Sequence, residues 1–372
     1  MLKIGITGQA GFVGTHLYNS LGLLPQEFER IDFQRNFFDN ETDFDIFVTQ
    51  CDAIVHLAAM NRHNEPQVIY DTNIKLVQKL TEALTRTNSK AHVLFSSSTQ
   101  EERDNLYGKS KKEGRELMVH WVKRSGGKFT GMIIPNVFGP FGHPNYNSVV
   151  ATFCHKLTHG ETPVIEVDGE MKLIYVGELV AEIIKEIRSE SGKDEVVVGH
   201  TSVSKVSNML SLLENYKKQY QEKGEIPTIN TAFELNLFNT FRCYMDIKNH
   251  FPVKYIEHTD PRGSFVEIIR LGVGGQVSFS TTVPGITRGN HYHTRKIERF
   301  AVIKGKALIQ LRRIGTDEVL EFYLDGNEPA YVDMPIWYTH NIKNIGDEIL
   351  YTNFWINEFY DPTNPDTYFE NV

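Results

Sequence analysis

The sequence lacks most of what would mark a secreted, membrane-bound or nucleic-acid-binding protein. It has only three cysteines, Cys51, Cys154 and Cys243, far apart and never in a Cys-x-x-Cys pair. An odd, scattered set excludes a disulfide framework and a thiolate zinc site, and predicts buried free thiols in a reducing compartment. No apolar run approaches membrane-spanning length, so no membrane partner is expected. A strand-like pattern begins at Leu2, leaving no room for a cleavable leader, which predicts a cytoplasmic protein. Basic residues are outnumbered, Lys+Arg 39 against Asp+Glu 47, for a formal net charge of -8. With no long basic run either, nucleic acid is excluded as a partner, and any substrate phosphate must be met by local donors. Internal repeats and low-complexity segments are absent too.

What is present is an ordinary globular composition, 40% hydrophobic and 23% charged over 372 residues, enough for two or three domains. In the first half, strand-like segments (2–7, 28–33, 53–57, 91–96 and 129–134) alternate with helix-like ones (12–21, 74–86 and 109–124). That alternation predicts an α/β, Rossmann-like parallel sheet covered on both faces. Residues 206–244 read as amphipathic helix with a break at 224–227. After Asp246 the texture changes to short strands, 265–271, 276–283, 300–303, 307–312 and 349–355, with turn residues between them. This predicts an all-β barrel or sandwich, and sets the expected domains at 1–245 and 246–372.

Gly8, Gly11 and Gly14 fall where the first strand turns into the first helix. Glycine there permits the tight turn and lets backbone N–H groups approach a pyrophosphate at the helix N-terminus. Tyr107 and Lys111 are four apart on a predicted helix and share a face. An ammonium beside a phenol favours the phenolate, so a lowered Tyr107 pKa is expected, suited to giving a proton to a carbonyl. Lys111 can also hold ribose hydroxyls. The run Phe95-Ser96-Ser97-Ser98 closes a strand, where a serine hydroxyl can hydrogen-bond the same carbonyl. For the cofactor, Asp32 can accept from a ribose 2′-OH, favouring NAD, while Arg35 can pair a 2′-phosphate, favouring NADP. A reductive step points to NADPH.

With these residues in this order, residues 1–244 resemble the extended short-chain dehydrogenase/reductases that act on nucleotide sugars. Ile6 to Gly14, His56-Leu57-Ala58-Ala59, Tyr107-Gly108-Lys109-Ser110-Lys111 and Pro135 to Pro140 carry the resemblance. It implies Ser98, Tyr107 and Lys111 as catalytic residues. It implies cofactor contacts from Gly8, Gly11, Phe12, Val13, Gly14, Leu57, Ala58, Ala59 and Lys111, besides Asp32 and Arg35. Asn136 would lie near the sugar nucleotide, with Asn145, Tyr146, Asn147 and Ser148 lining the substrate cleft. The stretch between Ser98 and Tyr107 is short for that family.

Near the other end, His291 and His293 alternate on a predicted strand and point to one face. Glu298 follows at hairpin distance, and His340 comes from a later strand. Three imidazoles and a carboxylate suit zinc or another divalent metal. Framed by Gly285 and Gly305, this region resembles the cupin family over about residues 255–360. It departs at Trp337, where the second cupin motif has glycine. Asp260 to Glu267 and Arg288 to His291 also resemble deoxysugar-nucleotide 3,5-epimerases, which adds Arg262 as a substrate contact. In those enzymes the histidine at the His291 position is the base. Here it is a candidate metal ligand, so the base is open, with Lys296, Asp333 and Tyr338 as candidates on position.

The two halves in this order, with the tail Asn364 to Phe369, are similar to the bifunctional CapF-type capsular-polysaccharide reductase/epimerases. That resemblance implies a homodimer with a zinc-binding cupin. It implies metal-dependent C3 epimerisation and NADPH-dependent C4 reduction of UDP-2-acetamido-2,6-dideoxy-hexos-4-ulose. The product would be UDP-2-acetamido-2,6-dideoxy-L-talose, on the way to N-acetyl-L-fucosamine. The alternative is a nucleotide-sugar reductase whose cupin is a non-catalytic dimerisation or binding module.

Overall fold

The structure is a computed structural model and describes residues 1–146 and 148–372. By internal contact the chain divides into two compact units, residues 1–152 with 167–206, and residues 153–166 with 207–372.

The first unit contains β1 (Leu2–Thr7), α1 (Phe12–Gly22), β2 (Phe28–Ile31), α2 (Glu41–Gln50), β3 (Ala53–His56), α3 (Pro66–Arg86), β4 (His92–Ser98), α4 (Leu106–Ser125) and β5 (Lys128–Ile134). β6 (Asn136–Phe138), α5 (Val149–Thr158, of which residues from Phe153 belong to the second unit), β7 (Glu170–Tyr175), α6 (Val176–Arg188), β8 (Lys193–Val197) and β9 (Ser202–Lys205) follow. A six-stranded parallel sheet runs β2-β1-β3-β4-β5-β8, and β6-β7-β9 form a smaller one. The parallel strands are buried on both faces because their apolar residues alternate sides. Val55 and Leu94 pack with Leu17 of α1 and Ile183 of α6. Their neighbours Ile54 and Val93 pack with Phe47 of α2, Leu80 of α3 and Trp121 of α4. Strand order reverses between β1 and β3, and the carboxyl ends of strands at such a switch point form the usual ligand crevice.

After the end of α5, the second unit continues with α7 (Val206–Tyr216), a π-helical turn at 217–221 and α8 (Ala232–Arg242). After α9 (Ile247–His250) come β10 (Val253–Lys254), β11 (Glu257–Asp260), β12 (Gly263–Val266), β13 (Gln276–Thr282), β14 (Thr287–Tyr292), β15 (Glu298–Lys304) and β16 (Lys306–Arg313). The remaining strands are β17 (Val319–Asp325), β18 (Ala330–Met334), β19 (Tyr338–Asn344), β20 (Leu350–Ile356) and β21 (Tyr368–Phe369). Two five-stranded antiparallel sheets, β10-β18-β15-β20-β13 and β17-β16-β19-β14-β21, enclose Val302, Ile309, Val332 and Ile342. This is the all-β barrel expected from the short strands.

Several features differ from the sequence reading, α5 and α6 among the elements not expected. α2 was not expected, although Asn40 caps it by accepting from the Thr42 and Asp43 N–H groups at 3.1 and 3.3 Å. The strand expected over 265–271 is only the end of the β11–β12 hairpin, and Leu271 makes an isolated bridge to Ile226. The composition changes at 246, but the second compact unit takes in residues 153–166 and the chain from Ser207 onward. Arg242 donates to the Met334 carbonyl at 2.9 Å and Tyr220 to Asp333 at 2.7 Å, which ties the helical segment to β18.

Candidate functional site

The first candidate site is at the carboxyl ends of β1, β3 and β4. Gly8 sits at φ +77, a left-handed conformation that favours glycine, and a Cβ there would stand 2.8 Å from the Ala58 nitrogen. A Cβ on Gly14 would stand 2.2 Å from the Gly8 carbonyl oxygen. The turn therefore closes only with glycine, and it brings Gly8 against the Leu57-Ala58-Ala59 backbone. Gly11 precedes Phe12 and Val13 at the start of α1 without a side-chain cap, so the first-turn N–H groups stay directed at the crevice. Asp32 and Arg35 lie exposed just past β2. Asp32 accepts from the Tyr18 hydroxyl at 3.0 Å, and Arg35 opens a 3-10 turn.

Ser98 ends β4, and Tyr107 and Lys111 lie on the first two turns of α4. The short Ser98–Tyr107 connection is a single 3-10 turn packed on α4 so closely that a Cβ on Gly108 would stand 2.0 Å from the Gln100 carbonyl oxygen. Buried Glu101 receives both arms of the Arg115 guanidinium at 3.0 and 2.8 Å, fixing that turn to the helix. The Ser98 hydroxyl accepts from the Gln100 N–H at 3.2 Å and lies near enough to Tyr107 that, against the effect of burial, it lowers the phenol pKa. Lys111 is buried, donates to the Ser96 carbonyl at 2.9 Å, and holds its ammonium 5.8 Å from the Tyr107 ring centroid. The lowered phenol expected from sequence does not result. Burial pushes Tyr107 up to about 12, with Ser98 opposing, and burial pushes Lys111 down to about 8.

Of the other expected contacts, Tyr146 receives the Asn61 N–H on its hydroxyl at 3.1 Å. Arg62 donates to the Asn145 carbonyl at 2.9 Å, which draws this segment towards the end of β3. Asn136 donates to the Lys172 carbonyl at 3.2 Å. Ser148 immediately precedes α5, its hydroxyl accepting from the Ala151 N–H at 3.3 Å. Asn147 lies outside the described residues.

The second candidate site is inside the barrel. His291, His293, Glu298 and His340 offer ligand atoms all within 4.8 Å of one another. β14 and β19 carry His291 and His340 as direct cross-strand partners, with a bulge between Gly289 and His291 where Asn290 takes φ +59. Two of the imidazoles are held from behind by a backbone carbonyl: His293 Nδ1 donates to the Asp366 carbonyl and His340 Nδ1 to the Tyr338 carbonyl at 3.2 Å. A carbonyl can only accept, so in the neutral rings the opposite nitrogens of His293 and His340 carry the lone pairs a metal would take. Both nitrogens face Glu298 Oε2, at 3.2 and 3.1 Å. A protonated His293 Nε2 donates to that carboxylate and, although burial opposes it, Glu298 raises the His293 pKa, whereas His340 Nε2 lacks the alignment of a hydrogen bond to it. Acceptors turned on one another around a shared point, two of them anchored from outside, fit a divalent cation. Burial and the neighbouring His340 push His291 down to about 4. Burial opposes ionisation of Glu298, but its two histidine contacts prevail and hold it well below the usual carboxylate range.

Trp337, the departure from the cupin motif, occupies φ +62. The left-handed turn is kept with a tryptophan in it, closed by the Trp337 N–H to the His293 carbonyl at 2.8 Å. Of the candidate bases, Asp333 is opposite Arg299 in register, on the other sheet face from Glu298, and is held by that guanidinium at 2.7 and 2.9 Å. Lys296 donates to the Pro365 carbonyl at 2.6 Å. Tyr338, two residues before His340 on β19, shares the face of the cluster. Arg262 is exposed on the β11–β12 hairpin and paired with Asp260. Sequence reasoning did not find Glu101, Arg115 or Asp366, whose partners are distant in the chain or, for Glu101, adjoin a motif without belonging to it.

Residues 4–199 match the NAD dependent epimerase/dehydratase family, and residues 258–368 match the polysaccharide biosynthesis C-terminal domain. Over 99% of its length the chain is 32% identical to the UDP-2-acetamido-2,6-beta-L-arabino-hexul-4-ose reductase of Pseudomonas aeruginosa, covering 98% of that protein. The crystal structure of the capsular polysaccharide assembling protein CapF from Staphylococcus aureus is 34% identical, with all of both chains covered and a TM-score of 0.63. The RMD structure from Pseudomonas aeruginosa, complexed with NADPH, shares the fold at 18% identity and a TM-score of 0.53, covering 59% of this chain and 83% of its own. Among the described residues no helix is long and apolar enough to cross a membrane.

Proposed function

The chain belongs to the NAD dependent epimerase/dehydratase family, in the CapF-type branch that joins this domain to a polysaccharide biosynthesis C-terminal domain, and on that premise we propose a bifunctional UDP-4-keto-sugar enzyme. The reductase chemistry is carried by residues within 1–245 and the epimerase chemistry by residues within 246–372. The substrate is UDP-2-acetamido-2,6-dideoxy-hexos-4-ulose, epimerised at C3 and reduced at C4 to UDP-2-acetamido-2,6-dideoxy-L-talose for capsular polysaccharide. The protein works in the cytoplasm as a homodimer.

The reading is carried by one conjunction. Ser98, Tyr107 and Lys111 meet behind a glycine-only turn, in a chain whose other unit converges three imidazoles and a carboxylate within 4.8 Å. In the reductase, Ser98 and Tyr107 hydrogen-bond the C4 oxygen, and Tyr107 gives it a proton. Lys111 holds ribose hydroxyls and keeps positive charge beside the phenol. The Gly8–Gly14 turn receives the pyrophosphate, and Arg35 takes the 2′-phosphate that distinguishes NADP from NAD. NADPH, when bound, supplies the hydride to C4. In the barrel, His291, His293, Glu298 and His340 would hold zinc or another divalent cation, which supplies Lewis-acid polarisation of the ketone and so acidifies the C3 proton.

Incubating the protein with UDP-4-keto sugar and NADPH in D2O tests both halves. Deuterium should enter at C3 and NADPH should be consumed. Consumption without deuterium at C3 would leave a reductase with a non-catalytic cupin.

A further inference from the structure

The C-terminal tail is built into the candidate metal centre more tightly than any motif suggests. Asp366 is buried at 2% exposure, with its backbone at φ +42, a left-handed conformation. Its carboxylate accepts from three consecutive backbone N–H groups, Thr294, Arg295 and Lys296, each at 3.0 Å, and from the Thr294 hydroxyl at 2.6 Å. Those residues form the loop between the ligands His293 and Glu298. The carbonyls of the same tail face the same loop. Asn364 receives the Arg295 guanidinium at 3.0 Å, Pro365 the Lys296 ammonium at 2.6 Å, and Asp366 the His293 Nδ1–H. Two residues on, β21 pairs with β14, setting Phe369 opposite the ligand His291.

We propose that residues 364–366 are a strap that sets metal affinity, with Asp366 as the positioning residue. The buried carboxylate fixes the 294–296 loop, and the loop then presents His293 with its Nδ1 proton on the Asp366 carbonyl and its Nε2 lone pair towards Glu298. Without the carboxylate, three backbone N–H groups and a hydroxyl lose their acceptor, and the spacing between His293 and Glu298 is no longer imposed. Outer partners of this kind change metal affinity by about 10–100-fold. The inference rests on the metal reading of this cluster.

The test is zinc affinity of the full-length protein, measured by competition with a chromophoric chelator, alongside thermal melts in EDTA. Wild type should bind one zinc per chain, and His340→Ala should bind none. Asp366→Ala should bind about 10-fold or more weakly while its EDTA melt still shows a folded protein. Asp366→Asn, which tolerates the left-handed backbone and keeps one acceptor oxygen, should fall between; it carries the test if the alanine variant does not fold. In cobalt-substituted protein the visible bands should shift in the Asp366 variants, which a merely structural role would not cause. Wild-type affinity and unchanged bands in the folded variants overturn the strap. Absence of zinc from wild type instead overturns the metal reading itself, and the strap with it.

Discussion

Tyr107 and Lys111 lie one helical turn apart, and burial moves them in opposite directions, the phenol up to about 12 and the ammonium down to about 8. The phenol therefore stays protonated across the working range and is a donor without needing a lowered pKa. Replacing it by Tyr107→Phe should leave cofactor binding intact and slow NADPH oxidation by about 10²-fold or more, the usual scale for losing a general acid. Near-normal turnover would remove Tyr107 from the chemistry. C3 exchange should continue in this variant, because its candidate residues are all in the other unit. The pH dependence follows from Lys111. A lysine held below its ordinary value gives up its proton as pH rises through about 8, so the charge beside the phenol is present below that pH and lost above it. The kcat/KM for reduction should accordingly fall above about pH 8. A profile flat to pH 10 would show that the Lys111 charge is not required.

At the scale of elements, the parts legible in sequence are those fixed by local rules. The glycine turn after β1 follows from spacing alone, since no Cβ fits at Gly8 or Gly14. The helix face shared by Tyr107 and Lys111, and the strand face shared by His291 and His293, follow from periodicity. What was not legible depends on partners far away in the chain. The helices before residue 246 belong with the barrel because Tyr220 and Arg242 reach β18, separated by 113 and 92 positions. Asp366 contacts Thr294 across 72 positions. Position along the chain made Asp333 a candidate base, and only strand register shows that it faces away from the cluster. Its role is then stability. It is the buried partner of Arg299, whose guanidinium also stacks 3.7 Å from the Tyr331 ring centroid. Breaking a buried pair of this kind costs about 3–5 kcal/mol, which for a unit of this size lowers the melting temperature by roughly 6–20 °C. Asp333→Asn should show that loss, with C3 exchange retained below the new transition. Abolished exchange at unchanged stability would return Asp333 to the list of bases.

At the scale of the whole molecule, two candidate sites sit in separate compact units, and the proposed substrate class links them. A 4-keto sugar has an acidified C3 proton for the barrel and a reducible C4 carbonyl for the α/β unit. If that division holds, the metal should control one activity and not the other. His340→Ala removes a candidate ligand buried in the barrel, and its consequences should stop there. In a sample shown to be folded by melting and free of metal, deuterium incorporation at C3 should disappear. NADPH oxidation should persist when the sugar supplied is already epimerised, because Ser98, Tyr107 and Lys111 are untouched. Exchange at the wild-type rate without metal would make the metal structural. Metal replacement in wild type gives an independent reading. A Lewis-acid role makes the exchange rate vary with the divalent ion installed, because ions differ in how strongly they polarise a carbonyl. A structural ion would change the melting temperature and leave the rate of exchange alone.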